Sequence, residues 1–241
     1  MKRYWCGPQR GRSRCADGGG SVLWVVRHRT ATELQVLQRV RHASRTHHPI
    51  GVEVFTAFCE SHASQVPFYA VARLLRAATG VEGLDEQTAR DRVRAWVPDT
   101  DPEDLVLFDD VLEIADPEVP LPKIDPDARR RRLTALVNAA SLARQAPAVY
   151  VVEDAHWIDE VSESMIADFL TVIPQTPSLV MITYRPEYRG RLTRVADAQT
   201  IALAPLRDSE TVALIGELLG PDPSVGGLGK TIAERAGAHR K

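Results

Sequence analysis

Val149-Tyr150-Val151-Val152-Glu153-Asp154-Ala155-His156-Trp157-Ile158-Asp159 decides how this chain folds. Four consecutive β-prone apolar residues end in two adjacent carboxylates. An uninterrupted apolar run of this length reads as a strand buried on both faces, as in a parallel sheet with helices on each side. The strand's end then carries Glu153 and Asp154 to the carboxyl edge of the sheet, where open α/β folds bind their ligands. Such a pair suits metal-assisted phosphate chemistry: one carboxylate holds Mg²⁺, usually through water, and its neighbour orients or deprotonates an attacking water. The plainer reading is that the two acids solvate a strand end, or that Asp154 opens a turn.

The residues that follow favour the first reading. An acidic pair, a small residue, His, Trp, an aliphatic residue and Asp together resemble the Walker B segment of AAA-related signal-transduction (STAND-type) P-loop ATPases. The resemblance is closest to the modules of actinobacterial adenylate/guanylate cyclase-linked and LuxR-type regulators. Phe55 to Glu60 and Pro67-Phe68-Tyr69 leading into Leu74-Leu75 match upstream. Ile182-Thr183-Tyr184-Arg185-Pro186-Glu187-Tyr188, Leu203-Ala204-Pro205-Leu206 with Glu210, and Leu218-Leu219-Gly220 match downstream. The likeness spans roughly 51–235. It implies a three-layer parallel α/β sheet of P-loop NTPase type with a helical lid, and ATP with Mg²⁺ as cofactors. It also implies Glu153 and Asp154 as catalytic and metal-holding residues, and Arg185 as a sensor-type residue toward the γ-phosphate.

Composition fits an ordinary globular chain, and a net charge of −2 makes no global case for nucleic acid or membrane. The charge is uneven: the first fifty residues carry ten Lys/Arg against two acids. Cys6, Cys15 and Cys59 form no metal-like cluster and suit a reducing cytoplasm. Met1-Lys2-Arg3 starts like a signal peptide, but no apolar stretch follows. His47-His48 lacks the partners of a zinc site, and Ser162 and Ser164 lack a nucleophile elbow.

Taken in order, residues 1–20 are Gly/Arg-rich and read as a disordered basic arm. A core is expected over 21–206 and a truncated helical lid over 207–241. Within the core, Ser21–Val26 and Val52–Phe58 read as strands, with Thr32–Arg45 helical between them. From Pro67 the spacing of Val71, Leu74, Leu75 and Ala78 is helical, closed by Gly80. Glu86–Val97 is a second helix. Asp99–Asp127, acidic and Pro-punctuated, reads as a connector over the surface with a short helix near Leu105–Leu112. A long helix follows Pro126, and its Arg129–Arg132 run reads as a solvated face, set against the helix dipole. Ser162–Ile173 (helix), Leu179–Thr183 and Thr200–Leu203 (strands) and a helix from Ser209 complete the alternation, with a last helix over Leu228–Arg235. Past the acids, Trp157 is expected to anchor packing and His156 to orient the loop.

An ATPase of this class also needs a Gly-rich loop after the first strand, with a Lys for the β/γ charge and a Ser/Thr for Mg²⁺. Arg27-His28-Arg29-Thr30-Ala31-Thr32 stands there, without Gly or a Lys-Ser/Thr pair. Gly226-Gly227-Leu228-Gly229-Lys230-Thr231 ends like such a loop, but Ser224 occupies the place of its first Gly and a helix precedes it. Each lost charge-assisted hydrogen bond forfeits roughly 1.5–3 kcal/mol. Losing the loop therefore costs about 5 kcal/mol or more, over a thousandfold in affinity. The expectation is an ATPase-like regulatory module with weak or lost nucleotide binding and impaired hydrolysis. Protein domains or a second copy are its possible partners, and it has no membrane or clear nucleic-acid site. A non-catalytic interaction module and a truncated or frame-disrupted gene remnant are the alternatives.

Overall fold

The computed structural model describes residues 23–27, 52–196, 198–202, 208–220, 228 and 231–232. Its elements are β1 (Leu23–Arg27), β2 (Glu53–Phe58), α1 (Tyr69–Thr79), α2 (Glu86–Trp96), α3 (Pro102–Val111), α4 (Pro126–Ala143), β3 (Ala148–Glu153), α5 (Glu160–Leu170), β4 (Ser178–Tyr184), β5 (Gln199–Ala202) and α6 (Asp208–Leu219). Short 3₁₀ turns lie at Ser61–Ala63, Ala155–Trp157, Ile173–Gln175 and Arg191–Arg194. The arm over 1–20, the helix over 32–45, the segment 28–32 and the boundary at 206/207 fall outside the described residues. So does most of the stretch from Ser224 onward, where Leu228, Thr231 and Ile232 are helical.

All five strands run parallel in one sheet ordered β2-β3-β4-β1-β5. This is the α/β sheet that the alternation of strands and helices predicts, and its order follows P-loop NTPase architecture. Phe58 pairs with Glu153, Val152 with Ile182, and Arg27 with Tyr184, so four carboxyl ends finish level with one another. One face carries Phe55, Ala57, Tyr150, Val152, Val180 and Ile182 into the main core beneath α1, α4 and α5. Tyr150 links Phe55 and Phe169 in that core, with ring centroids 5.5 and 5.2 Å away. On the opposite face Val151 and Met181 are only 2% and 7% exposed, with Val54 and Val149 partly buried against them.

Helix starts follow local chemistry. Asp85, Asp101, Asp125 and Asp159 each accept a backbone N–H of the first turn of α2, α3, α4 and α5. Pro102 and Pro126 occupy first helical positions, where a missing N–H costs nothing. Gly80 ends α1 at φ 68°, a left-handed C-cap whose N–H returns to Arg76 O.

Two expectations need correction. The Asp99–Asp127 segment is a surface connector only in its second half: Leu107, Phe108, Val111, Leu112 and Ile114 are buried and Phe108 stacks on Trp96 at 5.8 Å, whereas 115–127 are exposed or half-buried. Its apolar residues form a helical stripe that outweighs the acidic composition. The arginine run is not a solvated face either. Arg129 pairs with Asp110, Arg130 with Asp168 at 3.2 Å, and Arg132 with Asp104, with Glu103 at 2.9 Å and with Asp101 at 3.5 Å. Cations at the N-terminus of α4 oppose its dipole by a few tenths of a kcal/mol. The carboxylates of α3 and α5 offset that and clamp the acidic segment to the core.

Candidate functional site

The acidic pair stands at the carboxyl rim of the sheet's interior. Glu153 is the last residue of β3 and lies opposite Phe58 of β2. It is 9% exposed, and its carbonyl accepts the Cys59 N–H at 2.9 Å. The chain then turns sharply: Asp154 adopts φ 56°, ψ 39°. This left-handed conformation is uncommon for a residue with a side chain, and Asp is among those that tolerate it. The Asp154 N–H donates to Thr183 Oγ1 of β4 at 3.0 Å. Its carboxylate is half-exposed, with His156 Nδ1 3.8 Å from Oδ1. His156 thus flanks the acid within the loop. Trp157, expected to anchor packing, is instead 39% exposed: the 3₁₀ turn Ala155–Trp157 directs Ala155 inward and leaves the indole at the rim.

Asp159, the final residue of the motif, binds two helices together. Its Oδ1 accepts the N–H of Ser162 at 2.8 Å and of Phe68 at 3.0 Å, and its Oδ2 the N–H of Ala70 at 3.3 Å. Phe68, at the start of α1, has φ 68° and no side-chain cap of its own. Asp159 therefore caps α5 locally and α1 from across the core, while Ser162 Oγ accepts the Val71 N–H at 3.1 Å. The carboxylate is 3% exposed, so these three N–H groups have little water to fall back on.

Arg185 follows the last residue of β4 and is exposed. Its segment is fastened to α5 just beyond. Glu163 accepts the Tyr188 hydroxyl and the Arg191 N–H, the latter at 2.6 Å, and Arg191 Nη1 reaches Ser164 Oγ at 3.2 Å. Gly190 lies against this contact so closely that a Cβ would sit 1.9 Å from Glu163 Oε1. Burial and the Glu163 carboxylate both push the Tyr188 hydroxyl well above its ordinary pKa, so it stays a donor.

Cys59 lies beside these groups. Burial pushes its thiol up to about 12, reinforced by Asp159 and Asp154, so it is no thiolate nucleophile at neutral pH. Glu153 and Asp154 offer hard oxygen donors of the kind Mg²⁺ takes in ones or twos, completing its shell with water and phosphate oxygens. The pair fits that ion.

The fold thus brings Glu153, Asp154 and Arg185 to one rim on neighbouring strands. The motif's spacing did not reveal Asp159 as a double cap, Thr183 behind Asp154, or the Glu163–Tyr188–Gly190 fastening. The Asp159-x-x-Ser162 spacing was the available signal for the first. A separate groove of about 780 Å³ opens between α1 and the acidic segment. Its arginines are engaged internally: Arg129 with Asp110, Arg76 with Leu112 O, and Arg73 with the Tyr69 hydroxyl.

Comparison with known proteins bears on the family of the fold. Residues 35–182, more than half of the chain, match the family described as "AAA ATPase domain". An 89-residue stretch is 37% identical to "Uncharacterized protein R02095" of Rhizobium meliloti (strain 1021). That alignment covers 36% of this chain and 9% of the Rhizobium protein.

Proposed function

The chain belongs to the AAA ATPase domain family, and from that premise we propose that it is a regulatory ATPase-like module with a weakened nucleotide site at the carboxyl rim. Glu153 and Asp154, side by side where β3 leaves the sheet, carry the reading. Buried Glu153 would hold Mg²⁺. Half-exposed Asp154, turned out of the strand, faces the water that would attack a terminal phosphate. When bound, Mg²⁺ would supply charge neutralisation. Arg185, at the end of the neighbouring strand, answers to the γ-phosphate.

The segment after β1 lacks the Gly and the Lys-Ser/Thr pair that a phosphate loop brings. Nucleotide affinity is therefore low and hydrolysis slow or lost. A module of this kind works by reporting a nucleotide, or simply its own fold, to other protein domains or to a second copy. The resemblance of the Glu153–Asp159 segment to STAND-type modules of cyclase-linked and LuxR-type regulators supports a role in signal transduction. Among the described residues no helix is long and apolar enough to cross a membrane. With its free, buried Cys59, the chain suits the cytoplasm.

Titration with a fluorescent ATP analogue and Mg²⁺ tests the reading. The expected outcome is saturable binding in the millimolar range, about 4 kcal/mol, weakened further by Glu153→Gln. Binding tighter than about 100 μM, with turnover abolished by Asp154→Asn, would make the chain a competent ATPase instead. No binding together with a cooperative melt would leave a fold kept for protein contact, and no cooperative melt would leave a gene remnant.

A further inference from the structure

We propose that Thr183 is the positioning residue that fixes Asp154 at the rim, holding the acid's main chain in its left-handed turn. This inference rests on the reading of Glu153 and Asp154 as the metal–nucleotide site, which the nucleotide reading alone leaves without a mechanical explanation.

Asp154 is one of three non-glycine residues with positive φ among the described residues, the others being Phe68 and Glu113. Such a conformation costs of order 1 kcal/mol and persists where surrounding groups determine it. At Asp154 the carbonyl accepts the Trp157 N–H at 2.9 Å within the turn itself, and the N–H donates to Thr183 Oγ1 of the neighbouring strand at 3.0 Å, which ties the turn to the sheet. Without the turn, β3 would continue straight past Glu153 and carry the next carboxylate away from the rim. With it, the chain leaves the sheet at once and enters the 3₁₀ turn at Ala155.

Thr183 suits this task. It is 1% exposed and belongs to β4, which is hydrogen-bonded to β3 on one side and β1 on the other. Its side chain is β-branched and therefore stiff about χ1. It pairs with Val26 of β1, one residue before the strand ends. A rigid acceptor thus stands between the acidic strand and the strand that precedes the phosphate-loop position. The largely buried His156 has its Nδ1 3.8 Å from the Asp154 carboxylate, so the residue is tied through its main chain and flanked at its side chain.

Thr183→Val keeps the branched shape and removes the acceptor, whereas Thr183→Ser keeps the acceptor. Thr183→Ala serves if the Val variant fails to fold. In the full chain without ligand, hydrogen exchange of the Asp154 amide is followed by NMR. The Val variant should exchange about tenfold faster or more and the Ser variant within about twofold of wild type, while Val152 and Ile182 amides hold. Mn²⁺ with ATP, followed by the Mn²⁺ resonance, supplies the second readout. The Val variant should weaken binding about tenfold, the Ser variant little, and the Val effect should vanish in an Asp154→Asn background. An unchanged Asp154 amide in the Val variant overturns the proposal, as does an undiminished Val effect on Mn²⁺–ATP in the Asp154→Asn chain. A wild-type chain that binds no Mn²⁺–ATP refutes the nucleotide reading instead, and amide exchange then decides the role of Thr183.

Discussion

At Asp109 the fold keeps a carboxylate where water barely reaches. The residue is 5% exposed, its Oδ1 is buried without a hydrogen-bond partner, and Arg94 Nη2 stands 3.7 Å from Oδ2. Arg90, the other facing cation, is engaged with Ile114 O at 2.8 Å. Burial pushes the Asp109 carboxyl up to about 6, against the pull of Arg94 and Arg90. The sign follows directly. A raised folded pKa means that the native state holds the proton longer than the unfolded chain does. The stability gained by protonation is complete below about pH 4 and is lost as pH rises through about 6. Asp109→Asn removes the buried charge at constant volume. Its melting temperature should exceed that of wild type, and by more at pH 8 than at pH 4.5. A difference that does not change with pH would refute the assignment. At this scale the sequence was informative about the rim, since Glu153, Asp154 and Arg185 were picked from one short run and one strand end. It was silent on Asp109, because nothing in Phe108-Asp109-Asp110 tells which acid turns inward.

Helices, not single residues, explain why the motif ends in an acid. Asp159 joins the start of α5 to the start of α1, two elements separated by some 90 residues of chain. Asp159→Ala would leave the N–H groups of Phe68, Ala70 and Ser162 without their acceptor in a buried place. The expected loss is about 3–5 kcal/mol, read as a lower urea midpoint at unchanged slope. Asp159→Asn should cost less, because its carbonyl oxygen can still serve Phe68 and Ser162 while its amide meets the Ala70 N–H. A loss below about 1 kcal/mol in the Ala variant would show that α1 is capped some other way. The helices themselves were legible: the Asp-Pro pairs at 101–102 and 125–126 and Gly80 mark starts and a stop. What the pattern missed was depth. Acid and Pro content suggested a surface connector at 99–127, but Leu107, Phe108, Val111 and Leu112 repeat at helical spacing and fill the core. The Arg129–Arg132 run was misjudged for the same reason, since its acidic partners lie on α3 and α5 and no local pattern points to them.

Across the whole molecule, what local pattern cannot supply is strand order. Strand identity follows from apolar runs, whereas pairing depends on contacts far apart in sequence: β1 takes its place between β4 and β5, more than 150 residues later. That placement matters to the proposed site, because it sets the end of β1 two strands from Glu153 with Thr183 between. Val25 tests it through the backbone alone. It pairs with Ile182 on one side and Thr200 on the other, so it lies mid-strand with both edges occupied. Proline there lacks the N–H that a ladder needs and is excluded from strands paired on both sides. Val25→Pro should therefore cost about 3 kcal/mol or more, a fall of roughly 10 °C in melting temperature, beyond whatever Val25→Ala costs through its side chain. Far-UV circular dichroism and urea unfolding of the two variants give the comparison. If proline costs no more than alanine, β1 is not hydrogen-bonded between β4 and β5, and the rim around Glu153 loses the strand from which a phosphate loop would spring.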